Sequence, residues 1–482
     1  MGTSKNRNFF IRARKRRAQN HNVYGIREDS STELTRLSWK KCIFRGAHMI
    51  IRSFKTLIIS LTLIFSLVAQ ASNANQLAPL IDKVESKVID WRRHFHANPE
   101  LSNREFKTAE VIAKHLKSLG MEVQTGIAHT GVVAILKGGL PGKVVALRAD
   151  IDALPVTETV DLPFASKVKS TYAGQNVGVM HACGHDTHTA ILMGVAEVLS
   201  QVKDTIPGTV KFIFQPAEEG APEGEEGGAE LMVKQGVLKS PDVDAIFGLH
   251  ISSQTPVGVI GYRPGGIMAS VDDFRIRVHG KQVHGSTPWN GVDPIVVSAQ
   301  IINSLQTIVS RQMPLTKQAA VVTIGSIHGG VRSNIIPSEV ELIGTIRALD
   351  SDMRKNIHAK IRKIATNVAE SMDAKVDIDI PMASSYPVTY NTPELVEYML
   401  PTMRRQAGEN NVILIDAITG AEDFSFFAKE VPGFYFFLGG KPKNVKLEDA
   451  TAHHTPEFFI DESGMKLGVE TLSNMALDYL KQ

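Results

Sequence analysis

Apolar, β-branched runs alternate with helix-period stretches between residues 131 and 250, and this alternation restricts the fold more than any other feature. Residues 131–137, 144–148, 209–215 and 244–249 read as strands. Ile191, Leu192, Val195, Val198 and Leu199 mark an amphipathic helix between them, and 228–237 reads as another. Strands alternating with helices imply an α/β fold, a mainly parallel sheet with helices on both faces. Such sheets bind small molecules beyond the carboxyl ends of their strands.

Chemically unusual motifs sit at those ends. His181-Ala-Cys-Gly-His185-Asp186-Thr-His188 packs three imidazoles, a thiol and a carboxylate into one stretch. Gln215-Pro-Ala-Glu218-Glu219-Gly220 sets two adjacent carboxylates after an apolar run, and His250 closes another. A buried Cys is usually inert and a lone His usually structural. Thiolate, imidazole and carboxylate recurring at successive strand ends are, however, the ligand types of borderline divalent ions. A further candidate lies in the pair His453-His454, one of which is expected only to cap a turn. Asp150 and Asp152, at a strand end, either orient a ligating His or cap an Asx turn. His94 and His96 are expected to bond carbonyls at a helix end.

After residue 265 the pattern changes. Strands at 270–279, 320–327, 339–349 and 375–380 and helices at 294–311 and 353–372 follow the order β-α-β-β-α-β, that of a ferredoxin-like α+β unit. Its polar loops carry His284, Arg332 and Asn334, residue types that could steady an oxyanion or bind a carboxylate. The first unit then resumes with helices at 393–406 and 464–480, a strand at 434–438 and the Glu422-Asp423 pair. The expected organisation is 77–265 and 383–482 as a catalytic domain, with 266–382 inserted as a lid.

The front end differs. An apolar run at 56–68 behind Arg52 and Lys55, followed by Ala69-Gln-Ala71, has the layout of a signal peptide at 49–71, cleaved after Ala71. The run falls short of the ~20 residues that span a bilayer, so no stable membrane association is expected after cleavage. Met49 offers an alternative start, leaving 1–48 as an untranslated or disordered basic extension. Residues 1–71 carry a net +11; removing them from a chain of +3 leaves −8, which argues against a nucleic-acid partner. Cys42 leaves with the leader, so Cys183 has no disulfide partner and remains a ligand or free thiol. A periplasmic or secreted protein is expected.

Taken together, His-Ala-Cys-Gly-His-Asp, Gln-Pro-Ala-Glu-Glu-Gly, Gly-Leu-His250, Val-His284-Gly-Ser, Asn334-Ile-Ile-Pro, Glu422-Asp423-Phe-Ser and His454-Thr-Pro resemble the amidohydrolase branch of the aminoacylase and glutamate-carboxypeptidase metallopeptidases. That branch includes hippurate and auxin-conjugate hydrolases. The resemblance spans 77–482 with the motifs in family order. It implies two divalent ions (Mn²⁺ or Zn²⁺, with Ni²⁺ or Co²⁺ as alternatives) held by Cys183, His185, Glu219, His250 and His454. Glu218 would be the general base, His284 would steady the tetrahedral intermediate, and Asn334 and Arg332 would contact substrate. Asp150, Asp152, Asp186, Glu422 and Asp423 would support the ligands from behind. The implied reaction is hydrolysis of the amide bond of N-acyl or N-aroyl amino acids by water activated at the ions. A homodimer through the lid is also implied. The same ligands would serve a dipeptidase, a carboxypeptidase or an N-acetyldiaminopimelate deacetylase. From other classes come a Cys183–His185 nucleophilic amidase and a metal-dependent binding protein without turnover.

Overall fold

The computed structural model describes residues 77–382 and 385–482. The leader and basic-extension readings for 1–48 and 49–71 lie outside the described residues. The described residues form one compact unit, which contains two substantial sheets.

The larger sheet has eight strands, in the spatial order Glu122–Ile127, Gly131–Lys137, Pro207–Gln215, Leu140–Asp150, Ala245–Pro256, Gly433–Lys441, Ile260–Tyr262, Val412–Leu414. The central four run parallel, and an antiparallel hairpin forms one edge. Side chains alternate between two buried faces, as the apolar runs require. Val145, Leu147, Phe212, Phe214 and Phe247 enter one core with the helix 77–97 and helices Phe106–Ser118, His185–Ser200, Pro393–Ala407 and Met465–Leu480. Ala146, Ile213 and Ile246 enter the other, under Gly228–Lys234 and Ser425–Glu430. The sheet is therefore mainly parallel and covered on both faces. Its first strand, Glu122–Ile127, escaped the sequence reading because four of its six residues are polar or small and exposed to solvent on an edge.

The second sheet is antiparallel, in the order Ala320–Gly329, Glu339–Ala348, Ser270–His279, Lys375–Asp379. With helices Pro294–Gln312 and Ser351–Glu370 it has the ferredoxin-like arrangement. Asp293 and Asp350 each cap a helix by accepting two backbone N–H groups, the bonding that makes Asp a favoured N-cap. Phe274, Ile276 and Val278 pack under these helices, so the alternate residues, Val271, Asp273, Arg275 and Arg277, take the opposite face. The short strand Ser385–Tyr386 pairs with the same first strand, Tyr386 opposite Val271. Arg347 stands opposite Val271 on the other side, so Tyr386, Val271 and Arg347 form one row across three strands. Among the described residues no helix is long and apolar enough to cross a membrane.

Candidate metal centre and active site

The donor residues gather where the central strands end. Glu218 and Glu219 follow Pro207–Gln215, His250 lies in Ala245–Pro256, and His185 opens the helix His185–Ser200. Gly184 starts that helix at φ +97°, and a Cβ there would stand 2.3 Å from Ile251 Cγ2, so only glycine fits. His454 sits at φ +64° and Ala217 at +51°. Left-handed backbone at such residues costs roughly 1–2 kcal/mol, so surrounding contacts must hold both in place.

Cys183 Sγ lies 3.3 Å from both His250 Nε2 and His454 Nε2. His454 Nε2 lies 3.0 Å from Glu219 Oε1. His185 Nε2 is 3.9 Å from the same oxygen and 3.8 Å from Glu218 Oε2. Yet His185 Nε2 is buried without a hydrogen-bond partner among the described residues. An orphaned buried polar atom costs about 1–3 kcal/mol, and this one faces two carboxylates near a thiol and two more imidazoles, a candidate cation site. The residues present thus fit a divalent ion, both in donor chemistry and in the unsatisfied lone pair of His185.

Two neighbouring histidines are spent elsewhere. His453 lies with Nδ1 3.2 Å from the Cys183 carbonyl, and its Nε2 accepts the Ser253 N–H. His188 faces Asp150 through Nδ1 at 2.6 Å and accepts the Ile251 N–H through Nε2. Both stand near enough to other donors to join a metal group, but neither keeps a free lone pair. Burial, and next to it His454, pushes His453 down to about 3.

The supporting carboxylates divide into distinct roles. Asp152 does orient a donor: His185 Nδ1 lies 2.9 Å from its carbonyl and 3.2 Å from Oδ1, while Oδ2 accepts the Glu219 N–H. Asp150 does not share that task. It pairs with Arg148 at 2.7 Å and with His188, and stays 3.9 Å from His185 Nδ1; it closes the strand Leu140–Asp150 on the same face as Arg148, two residues back, whereas Asp152 lies past the strand end. Glu422 and Asp423 bond Arg148 at 2.9 and 3.0 Å. Asp186 faces away from the donor cluster, 2.9 Å from Arg92 Nε and 2.8 Å from His96 Nδ1. His96 therefore bonds carboxylates, Asp186 and Glu158, instead of the expected helix-end carbonyl.

This is a site with more buried carboxylates than cations. Burial raises Glu218 well above the usual carboxylate range, and Glu422 and Glu219 add to it. Burial and Glu219 likewise push the Cys183 thiol up. Burial opposes protonating His185, yet Asp150 and Asp152 outweigh it and hold the imidazole at about 10. Burial, then Asp152, pushes Glu105 up to about 8 from 4.5; its Oε1 accepts the Ala217 N–H and its Oε2 the Thr130 hydroxyl. A carboxyl that titrates higher folded than unfolded loses stability as pH rises between the two values. Glu105→Gln keeps the acceptor for Ala217, and Thr130 can rotate to accept. Unfolding free energies from denaturant titration in chelator should therefore match wild type near pH 4 and exceed it, by about 1–3 kcal/mol, above pH 8; a deficit at pH 9 would refute this.

A cavity of about 740 Å³ opens onto the donors, lined by Cys183, Glu218, Glu219, His250 and His454. Met268, Ile415, Ile418 and Phe437 add an apolar wall, and the row Tyr386, Val271 and Arg347 closes it from the second domain. Sequence reasoning missed Arg347 and Tyr386. A polar residue at alternating spacing was visible, but not which row faces the donors. His284, in the short strand Val283–His284, and Arg332 and Asn334, in turns, instead lie exposed in the second domain and do not line this cavity. His284 Nδ1 accepts the Ser286 N–H, which leaves Nε2 as the nitrogen able to face an oxyanion.

Comparison with known proteins agrees with the geometry. The model of Peptidase family M20/M25/M40 matches residues 146–478. Thermostable carboxypeptidase 2 of Saccharolobus solfataricus is 42% identical over 400 residues, 83% of this chain and 97% of that protein. N-acetyl-L-cysteine deacetylase of Bacillus subtilis is 37% identical over 388 residues, 80% and 86% of the two chains. A solved Bacillus subtilis structure, described as a dinuclear metal-binding peptidase from the M20 family, superposes with a TM-score of 0.68 at 34% identity, covering 83% of this chain and 99% of that one. The chain accordingly belongs to peptidase family M20/M25/M40, in its amidohydrolase branch, and is a metal-dependent hydrolase of carbon–nitrogen bonds.

Proposed function

We propose that the chain hydrolyses the amide bond of N-acyl or N-aroyl amino acids, with Cys183, His185, Glu219, His250 and His454 holding two divalent ions, Mn²⁺ or Zn²⁺. The observation that carries this reading is a buried carboxylate, Glu218, standing 3.8 Å from a donor nitrogen that itself lacks a partner. When bound, such ions polarise the acyl carbonyl and bring water toward a pKa of about 7. Glu218 then takes the proton of the attacking water and returns it to the departing nitrogen. Its raised affinity for a proton suits the second half of that task. Arg347, without an ion-pair or hydrogen-bond partner among the described residues, would take the amino-acid carboxylate. Met268, Ile415, Ile418 and Phe437 would receive the acyl group.

The relatives' names, a carboxypeptidase and a deacetylase of N-acetyl-L-cysteine, suit this reading and keep dipeptide cleavage as the second one. Purified protein should carry two ions per chain and turn over members of a panel of N-acyl amino acids and dipeptides. Cys183→Ala should bind fewer ions and lose turnover with them; full activity in metal-free Cys183→Ala would remove the proposal. A homodimer through the second domain belongs to the same reading, since Trp289 and Val331, 77% and 93% exposed, put apolar surface into solvent there. Sedimentation should give twice the chain mass, and a monomer at micromolar concentration would dismiss it.

A further inference from the structure

We infer that Tyr386 is a positioning residue for Glu218, fixing from the second domain the peptide that joins the base to its ligand neighbour. The inference rests on the function proposed above. Ala217–Gly220 is irregular backbone, with Ala217 at φ +51° and Gly220 at +103°, and conformations of that kind persist only where their surroundings determine them several times over. Three side chains do so here. Glu105 Oε1 accepts the Ala217 N–H at 3.0 Å, Asp152 Oδ2 accepts the Glu219 N–H at 3.1 Å, and the Tyr386 hydroxyl donates to the Glu218 carbonyl at 3.0 Å.

The last two bonds act on one peptide plane, because the carbonyl of Glu218 and the N–H of Glu219 belong to the same planar unit. Its orientation sets ψ of Glu218 and φ of Glu219, hence the angle at which the two carboxylates diverge. Pinned at both edges, the plane holds Glu219 toward His454 while Glu218 stays apart. Asp152 also holds His185, so changing it would disturb a donor as well. Tyr386 offers a cleaner handle. It rides on the strand Ser385–Tyr386, paired with the first strand of the antiparallel sheet, and its ring meets Phe426 edge-on at 6.0 Å. Burial, then Asp423, disfavours the phenolate, so the hydroxyl remains a donor. The alignment of the base thereby depends on where the second domain sits.

Tyr386→Phe removes the hydroxyl and leaves the ring lining the cavity. In the metal-loaded protein, kcat should fall about tenfold while KM changes less than twofold and two ions remain bound. Amide hydrogen exchange of a peptide spanning 215–220 should quicken, whether or not substrate is present. Phe426→Leu, which keeps the hydroxyl, should leave that exchange unchanged. Unchanged exchange at 215–220 in Tyr386→Phe would overturn the inference, as would a loss confined to KM or acceleration spread over the whole second domain. If wild type turns over no panel substrate while exchange at 215–220 responds as expected, the proposed substrate class fails and the positioning role stands.

Discussion

Glu218→Gln should retain both ions and lose turnover by a factor of about 10²–10⁴, the range that a positioned acid–base group contributes. The amide is nearly isosteric, so the Glu218 main chain keeps its bond from Tyr386 and Glu219 keeps its place against His454. What disappears is an atom that can accept a proton. The geometry makes a large loss unavoidable, because no neighbouring carboxylate can substitute. Glu422 and Asp423 are engaged by Arg148, Asp152 by His185 and the Glu219 N–H, and Glu219 belongs to the donor cluster. Metal content by mass spectrometry alongside steady-state rates distinguishes this from site collapse. A variant that keeps more than a tenth of wild-type kcat with both ions bound would show that the base lies elsewhere.

Arg148→Leu should be the most destabilising single change behind the site, by about 3–5 kcal/mol or more. The Arg148 side chain is fully buried and bonds Asp150, Glu422 and Asp423 at 2.7–3.0 Å, with Gln215 on its Nε. Leucine fills part of the volume but leaves three carboxylates facing one another without a cation. Paired with its partners, the guanidinium adds little net stability over an apolar residue; stripped of it, the partners pay the full cost of buried charge. Denaturant unfolding at pH 7 should show the loss, or the variant should fail to accumulate as folded protein. The combined variant with Asp150→Asn, Glu422→Gln and Asp423→Asn should recover part of it. A single variant within 1 kcal/mol of wild type would mean that the carboxylates are already neutral and the network carries no charge.

Much of this arrangement is legible in the sequence. Near-continuous apolar runs ending in polar motifs require a sheet buried on both faces, with chemistry at one edge. The motifs there, Cys183-Gly-His185, Glu218-Glu219 and His250, converge as their positions at strand ends imply. The alternating pattern of the second sheet likewise announces a one-faced helical cover. Edge strand Glu122–Ile127 stayed hidden because it pairs through its backbone and buries little.

Choices among chemically equal side chains were a different matter. His453 and His454 are neighbours of the same type, and only the Ser253 N–H and the Cys183 carbonyl, brought in from elsewhere, commit His453. Asp150 and Asp152 look alike in sequence, yet Asp150 ends its strand on the same face as Arg148 while Asp152, past the strand end, reaches His185. Tyr386 and Arg347 carried no local mark, since their meaning depends on which row of a separate sheet faces the donors. Local sequence determined the elements and the inventory of reactive groups, because period, propensity and residue chemistry act over a few positions. Tertiary structure decided which atom of each group is left without a partner, because a hydrogen bond or an ion pair is settled by whatever the rest of the chain brings within about 3 Å.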